Sequence, residues 1–174
     1  LSLTAITGNI TQEGALTVAG TSAFTTSNNN DDITLTKANA FTGAVSLTTN
    51  GATGNAQVTD ASALLLGTST VDGNLTATAT TGDLTQNGAL TVAGTSDFIT
   101  SANNSDIILN QANTFSNAVT LKAGNGAGTF DDITFKDSQG IKIEDNAGNN
   151  NANGDLFLDT TGSDNTVGGN LSLT

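Results

Sequence analysis

The sequence contains no cysteine, proline, methionine, tryptophan, tyrosine or histidine, and it has only seven phenylalanines among 174 residues. Without cysteine the chain can form neither a disulfide nor a thiolate metal site or nucleophile, and it gives no indication of its redox compartment. The bulky side chains that usually fill a globular interior are nearly absent. A conventional globular core is therefore not expected.

Positive charge is also scarce, because four lysines stand against sixteen acidic residues, for a net charge of −12. Nucleic acids and anionic lipid surfaces bind proteins through cationic side chains. We therefore expect neither as a partner. The longest apolar run, 63–66, is far too short for a membrane-spanning helix, so no membrane insertion is expected.

What the chain does contain favours β-strands. Threonine and asparagine dominate, and the share of Leu, Ile, Val and Phe lies just above the range typical of disorder. The absence of proline and the many β-branched residues suit a pleated surface. Apolar residues alternate with polar ones, as at Ile33 and Leu35, and no stretch has a helical period. We predict an all-β protein without helix.

Long internal repeats organise this pattern. The stretch "GALTVAGTS" at 14–22 recurs letter for letter at 88–96. The segment 1–47 matches 75–121 at 30 of 47 positions without a gap. Such a match indicates a duplication in which Leu75 is the equivalent of Leu1.

The second copy is longer than the first. "TVDGNL" at 70–75 returns as "TVGGNL" at 166–171, so the second copy contains about one coil more. An architecture that absorbs this insertion without losing its period is built from stacked units. We predict one β-solenoid segment over 1–174, with repeats 1–74 and 75–170, an extra coil at about 130–159 and a third repeat beginning at 171–174.

Short strands separated by Gly and Asn are typical of a β-solenoid. Phe24 and Phe41 have the same spacing as Phe98 and Phe115, and this spacing predicts about nine coils of roughly 17–22 residues. We expect Leu and Val of the repeated stretch to face the lumen of the solenoid. We expect Gly to permit the tight turn after the strand, and Asn to stack in ladders. The residues concerned are Leu16, Leu90, Val18, Val92, Gly20, Gly94, Asn39 and Asn113.

The stretches "DITLTKANAFTGAVSL" at 32–47 and "DIILNQANTFSNAVTL" at 106–121 resemble repeats of bacterial type V secreted proteins. These are filamentous-haemagglutinin-like exoproteins and autotransporters with passenger-associated strand repeats, in which an Asn-x-aromatic-Thr-Gly corner leads into the next strand. Asn39 to Gly43 match that corner, whereas the second copy would have to use Asn117. The resemblance implies a right-handed parallel β-helix in a secreted or surface-anchored stalk or adhesin.

These patterns predict a structural or adhesive repeat segment of a large bacterial cell-surface or secreted fibre protein. A self-polymerising extracellular filament subunit is the alternative, and a carbohydrate-active β-helix enzyme ranks third. We expect the chain to belong to a longer protein, because "LSLT" both opens and closes it. Neighbouring coils of the same or another copy would then stack on its ends, and host or surface glycans are the ligands that an adhesin would bind.

Carboxylates are the only candidate metal ligands, since calcium prefers oxygen. A calcium-binding β-roll needs tandem Gly-Gly-x-Gly-x-Asp units, and "GNGAGTFDD" is a single poor match. We interpret the carboxylates as a solvated acidic edge and predict no metal and no cofactor. They are Asp31, Asp32, Asp131, Asp132, Glu144, Asp145, Asp155, Asp159 and Asp164.

Catalysis is not expected either. Paired carboxylates can act as general acid and base, but the lyases that share this architecture use arginine as the base, and the chain has neither arginine nor histidine. We predict no enzyme activity and no catalytic or cofactor-binding residue.

Two remaining features have simple interpretations. Outward threonines such as Thr34, Thr36, Thr76 and Thr78 would order water only in a regular array, so we interpret them as an ordinary solvent face. The segment 130–159, which contains Phe130, Phe135, Lys136 and Lys142, is the candidate for a separate binding role, although one extra coil explains it as well.

Overall fold

The computed structural model describes residues 1–124 and 131–139 together with the backbone of three later strands. The regular secondary structure of these residues consists of parallel strands joined by turns and bends. The described residues include no helix, and none that could cross a membrane. The all-β prediction is confirmed for them. The strands are β1 (Ser2–Ala5), β2 (Ile10–Thr11), β3 (Thr17–Val18), β4 (Ser22–Asn29), β5 (Ile33–Phe41), β6 (Val45–Asn50), β7 (Ala56–Asp60), β8 (Leu64–Leu66), β9 (Ser69–Val71), β10 (Leu75–Ala79), β11 (Leu84–Gln86), β12 (Leu90–Val92), β13 (Ser96–Thr100), β14 (Ile107–Phe115), β15 (Val119–Lys122), β16 (Ile133–Asp137), β17 (Lys142–Glu144), β18 (Leu156–Thr160) and β19 (Thr166–Gly168).

Strands of successive turns pair in parallel, and those inside the stack pair with both the preceding and the following turn, which makes the fold a β-solenoid. One column of backbone partners, followed from β2 to β17, shows the period, because each member lies one turn after the last. The members are Ile10, Ile33, Ala56, Leu75, Ser96, Val119 and Ile143.

The pairings divide each turn into three sides. Side 1 contains β1, β4, β6, β9, β12 and the end of β14, and side 2 contains β2, the start of β5, β7, β10, β13 and β15. On side 3, β3 pairs with the end of β5, and β8, β11, the start of β14 and β16 pair in succession. Strand β8 belongs to this side by its order in the turn, and its last residue, Leu66, also pairs with Val45 of β6 at the corner with side 1. Strands β5 and β14 belong to two sides because each runs around a corner.

The predicted nine coils are too many, since the described part of the chain forms about six turns. The spacing of the phenylalanines is a distance within one turn. Phe24 on side 1 and Phe41 on side 3 meet across the lumen edge to face, with ring centroids 6.0 Å apart. Phe98 and Phe115 do the same at 5.7 Å. The right-handedness implied by the resemblance stays a prediction.

The repeat unit 1–74 is not a whole number of turns. Ser2 pairs with Ala23 on side 1, whereas the equivalent Thr76 pairs with Asp97 on side 2. Likewise β2 on side 2 is repeated as β11 on side 3. The 74-residue repeat therefore advances three turns and then one further side.

Inward Leu, Ile, Val and Phe form one continuous core. Leu90 and Val92 are fully buried, which confirms their predicted lumenal position. Leu16 and Val18 pack on the same core but are only partly buried, because they lie in the first turn.

The glycines of the repeated stretch do not have the predicted role of permitting a turn through positive φ. Neither Gly20 nor Gly94 has positive φ. At Gly94 a Cβ would lie only 2.5 Å from the carbonyl carbon of Gly73 in the preceding turn, so close approach requires the glycine. Asn117 does not carry a left-handed corner either, because the described non-glycine residues with positive φ are Asn30 and its repeat Asn104.

The segment 130–159 continues the stack where it is described. Strand β16 pairs with β14 and with β18, and it places Ile133 and Phe135 in the lumen. Phe130 and the side chain of Lys142 lie outside the described residues.

Replacing Phe115 by alanine tests the aromatic core. Phe115 is 2% exposed and lies between Phe98 and Phe135, whose ring is stacked on it at 5.3 Å. We expect Phe115→Ala to lower the free energy of unfolding by about 3–5 kcal/mol in urea titrations. The control Ile99→Ala, on the outward side of β13, should cost well under half as much. Equal losses would contradict the assignment of a lumenal aromatic stack.

Candidate functional site

Buried amide side chains tie three successive turns together at one corner. Asn113 is fully buried, and its Oδ1 accepts hydrogen bonds from Gln86 Nε2 (2.8 Å) and from the Leu90 N–H (2.9 Å) in the preceding turn. Its Nδ2 donates to Gln86 Oε1 (2.9 Å) and to the carbonyl of Lys136 in the following turn (3.0 Å). Asn113 therefore bridges both neighbouring turns.

The first repeat builds the same corner one side earlier. Asn39 is fully buried and accepts from Gln12 Nε2 and from the Leu16 N–H, both at 2.8 Å. It donates to the carbonyl of Thr59 at 3.0 Å. The expected asparagine ladder is thus a glutamine–asparagine pair in each repeat, and Asn39 and Asn113 do not stack on each other.

A buried aspartate completes each corner. Asp60 accepts from the N–H of Phe41 (2.8 Å) and of Ser62 (2.8 Å). Asp137 accepts from the N–H of Phe115 (3.2 Å) and of Gln139 (3.1 Å). Because these carboxylates are committed to backbone donors, they hold the chain at the corner and are poorly placed to act as general acid and base.

Asparagine and aspartate side chains also form a spine along the corner between sides 1 and 2. In four successive steps the side-chain oxygen of one turn accepts the backbone N–H of the next turn at 2.8–2.9 Å. The acceptor and donor residues are Asn9 and Asp32, Asp32 and Asn55, Asn55 and Asn74, and Asn74 and Thr95.

The repeat moves this spine to the next corner and makes it acidic. Asp83 Oδ1 accepts the N–H of Asp106, and Asp106 Oδ1 accepts the N–H of Asp132, both at 2.9 Å. Burial raises the pKa of Asp106, and the charges of Asp83, Asp132 and Asp131 raise it further, although the bond from the Asp132 N–H lowers it.

Where the structure describes the predicted acidic clusters, Asp32 and Asp132 lie in these spines, and Asp31 and Asp131 lie beside them. Asp31 accepts the Gly8 N–H at 2.6 Å, and Asp131 accepts the Ser105 N–H at 3.0 Å. Oδ2 of Asp131 is buried and has no hydrogen-bond partner in the part of the chain that the structure describes. Among the described residues no three acidic side chains are grouped so as to hold a metal ion. The remaining candidates lie outside the described side chains, namely Glu144, Asp145, Asp155, Asp159 and Asp164.

A shallow polar groove of about 250 Å³ lies on side 2. Asp97 and Gln57 line it, together with Asn55 and Asn74, whose Oδ1 atoms are occupied by the spine. Its lining includes no aromatic ring, which is the usual stacking platform for a sugar.

Threonines are stacked in a column along side 1. The spacing of these threonines in the sequence did not indicate this column. Unequal turn lengths make the threonines irregular in sequence, but backbone pairing aligns them, and Thr114 Oγ1 continues the column to Ser138 Oγ at 3.1 Å. Cross-strand threonine pairs stabilise a sheet by about 0.2–1 kcal/mol each. The column consists of Thr4, Thr25, Thr48, Thr70, Thr91 and Thr114.

Replacing Asn113 tests the amide corner. Asn113→Ala removes the partners of Gln86, the Leu90 N–H and the Lys136 carbonyl. Each buried polar group left unpaired costs about 1–3 kcal/mol, so we expect a loss of at least about 3 kcal/mol in the free energy of unfolding. The control Asn110→Ala, on an exposed position of the same strand, should change it by less than about 0.5 kcal/mol. Similar effects of the two substitutions would contradict the bridging role.

Replacing Asp106 tests the acidic spine. Because its folded pKa lies above the ordinary value of 3.8, the ionised carboxylate opposes folding, and this effect develops as pH rises through the folded pKa. Asp106→Asn keeps the acceptor for Asp132 and removes the charge. Thermal melting should therefore show a higher midpoint for the variant near pH 7 and no difference near about pH 3. The control Asp97→Asn removes a charge outside the spine, and the same pH-dependent gain there would contradict the interpretation.

The comparisons with known proteins support the repeat architecture. The family model described as repeats of unknown function (DUF5649) matches residues 1–48 and 53–122. No curated protein and no solved structure matches the chain. Since the family model covers more than half of the sequence, the chain belongs to the DUF5649 repeat family.

Proposed function

We propose that this chain is a structural repeat segment of a large bacterial cell-surface or secreted fibre protein, and that it extends a stalk by stacking turns. It carries out no catalysis in this proposal. The observation that supports it best is the role of the buried polar side chains at the corners, because they bind the backbone or amide groups of neighbouring turns. Asn39, Asn113, Asp60 and Asp137 all do so.

The extracellular location is supported by composition. A net charge of −12 keeps an extended surface soluble, as an extracellular fibre requires. Glycans remain the proposed ligands of an adhesive form. Their proposed binding site is the polar groove on side 2, which Asp97 and Gln57 line.

A self-polymerising filament subunit is the second candidate, and one observation favours it. Leu1, Leu3 and Ile6 in the first turn are 53%, 45% and 77% exposed. Apolar side chains exposed on the first described turn of a parallel stack suit end-to-end association.

The stalk function predicts that length grows with repeat number. Additional copies of residues 1–74 placed before Leu1 should each lengthen the rod by about 16 Å, since each adds three turns and one side at about 4.8 Å per turn. Small-angle scattering measures this increment, and antibody labelling of intact cells tests the surface location. Copies carrying Leu35→Asp and Leu47→Asp, which place charge in the lumen, are the matched control.

A constant maximum dimension, or equal dimensions for the intact and charged copies, would contradict the stalk function. Filaments formed by the original chain in sedimentation experiments would favour the polymerising subunit over the stalk.

A further inference from the structure

We propose that the N-terminal face of the solenoid takes up one more parallel turn with the residue pattern of 53–74. The N-terminal face is the uncovered edge of the first turn, formed by Leu1, Leu3, Ile10, Leu16 and Val18. The inference rests on the stalk function, because it names what adjoins this segment in the stack.

The internal repeat provides a covered version of the same surface within one chain. Leu1 and Leu3 are 53% and 45% exposed, whereas their equivalents Leu75 and Ala77 are 1% and 0% exposed. Leu16 is partly buried, and its equivalent Leu90 is 0% exposed. The two surfaces differ in what lies before them along the axis.

The turn that covers the second copy is known strand by strand. Ala56–Asp60 pairs with β10, Leu64–Leu66 with β11, and Ser69–Val71 with β12. These strands place Val58, Leu64 and Val71 in the lumen. In the first copy the equivalent space is an open apolar groove of about 410 Å³, with Phe24 and Leu35 in its lining.

Backbone N–H groups also differ between the covered second copy and the uncovered first copy. In the second copy the N–H groups of Thr80, Asn87 and Ala93 bond backward to the carbonyls of Asp60 (2.8 Å), Leu66 (2.9 Å) and Val71 (2.9 Å). Their equivalents at the N-terminal face are Ile6, Glu13 and Ala19.

In the part of the chain that the structure describes, no turn precedes those three residues, so the face presents a ladder of donors as well as an apolar groove. A parallel strand with alternating apolar residues satisfies both requirements, whereas a helix or a small apolar ligand would leave the donors unpaired.

The register of the added turn follows from the repeat. The residue equivalent to Ala56 lies on Leu1, the one equivalent to Leu64 on Ile10, and the one equivalent to Ser69 on Leu16. A second copy of this chain has residues 53–74 inside its own rod, and its C-terminal repeat of this stretch reproduces mainly the last part, "TVDGNL" at 70–75, as "TVGGNL" at 166–171. The occupant that offers the whole pattern is therefore a turn joined directly ahead of Leu1.

A fusion tests this inference. Residues 53–74 are placed directly before Leu1 of the full chain, so that the junction of Asn74 with Leu1 reproduces the natural junction of Asn74 with Leu75. Amide hydrogen exchange is followed by NMR. Exchange at Ile6, Glu13 and Ala19 should slow by about two orders of magnitude relative to the original chain.

The matched control carries Val58→Asp and Leu64→Asp in the added turn only, which leaves its length and its corners unchanged. Those three amides should then exchange as fast as in the original chain. Unchanged exchange in the intact fusion, or equal protection in the control, would overturn the inference.

Two further outcomes distinguish the added turn from a second copy and from the stalk function itself. Concentration-dependent protection of the same amides in the original chain would overturn the inference in favour of a second copy as the occupant. Antibody labelling of intact cells tests the surface-fibre function independently of this exchange experiment, so labelled cells together with unprotected amides refute the inference alone.

Discussion

The register of hydrogen bonds between turns determines the rest of this structure. Each strand must meet its neighbours after one full turn with the same residues facing inward, because a slip of one residue would turn every lumenal side chain to solvent. The buried amides and the spines of asparagine and aspartate side chains (the Asx spines) lie at the corners. There, backbone pairing alone would allow one turn to slip against the next. At Leu35 to Asn39 and at Leu109 to Asn113 the strand bulges, and in both places the asparagine closes the bulge.

Alternation and repetition in the sequence were sufficient to predict the fold class and the lumenal residues. They were insufficient for the number of turns, because Phe24 and Phe41 contact each other within one turn and their spacing resembled a period. A solenoid with three short sides places apolar residues several times per turn. Only the pairing partners reveal which apolar positions are stacked and which face each other across the lumen.

The polar features were harder to predict, since they depend on contacts between residues that lie about one turn apart in the chain. The sequence marked Asn39 and Asn113 as corner residues, but it did not show that Gln12 and Gln86 are their partners. The threonine column was hidden by unequal turn lengths. Both the glutamine–asparagine pairs and the threonine column join residues separated by about one turn in the sequence. The repeat spacing of 74 residues therefore does not reveal them. The side-chain ladder that begins at Asn9 joins residues about one turn apart in the same way.

The advance of three turns and one side per repeat has a consequence for anything that touches the surface. Equivalent surface residues in consecutive repeats face different directions, as the Asx spine shows when it moves from the corner at Asp32 to the corner at Asp106. In an array of such repeats, a given patch would wind around the rod and return to its starting side only after three repeats. Binding partners specific for one patch would therefore be arranged on a spiral and kept apart from one another.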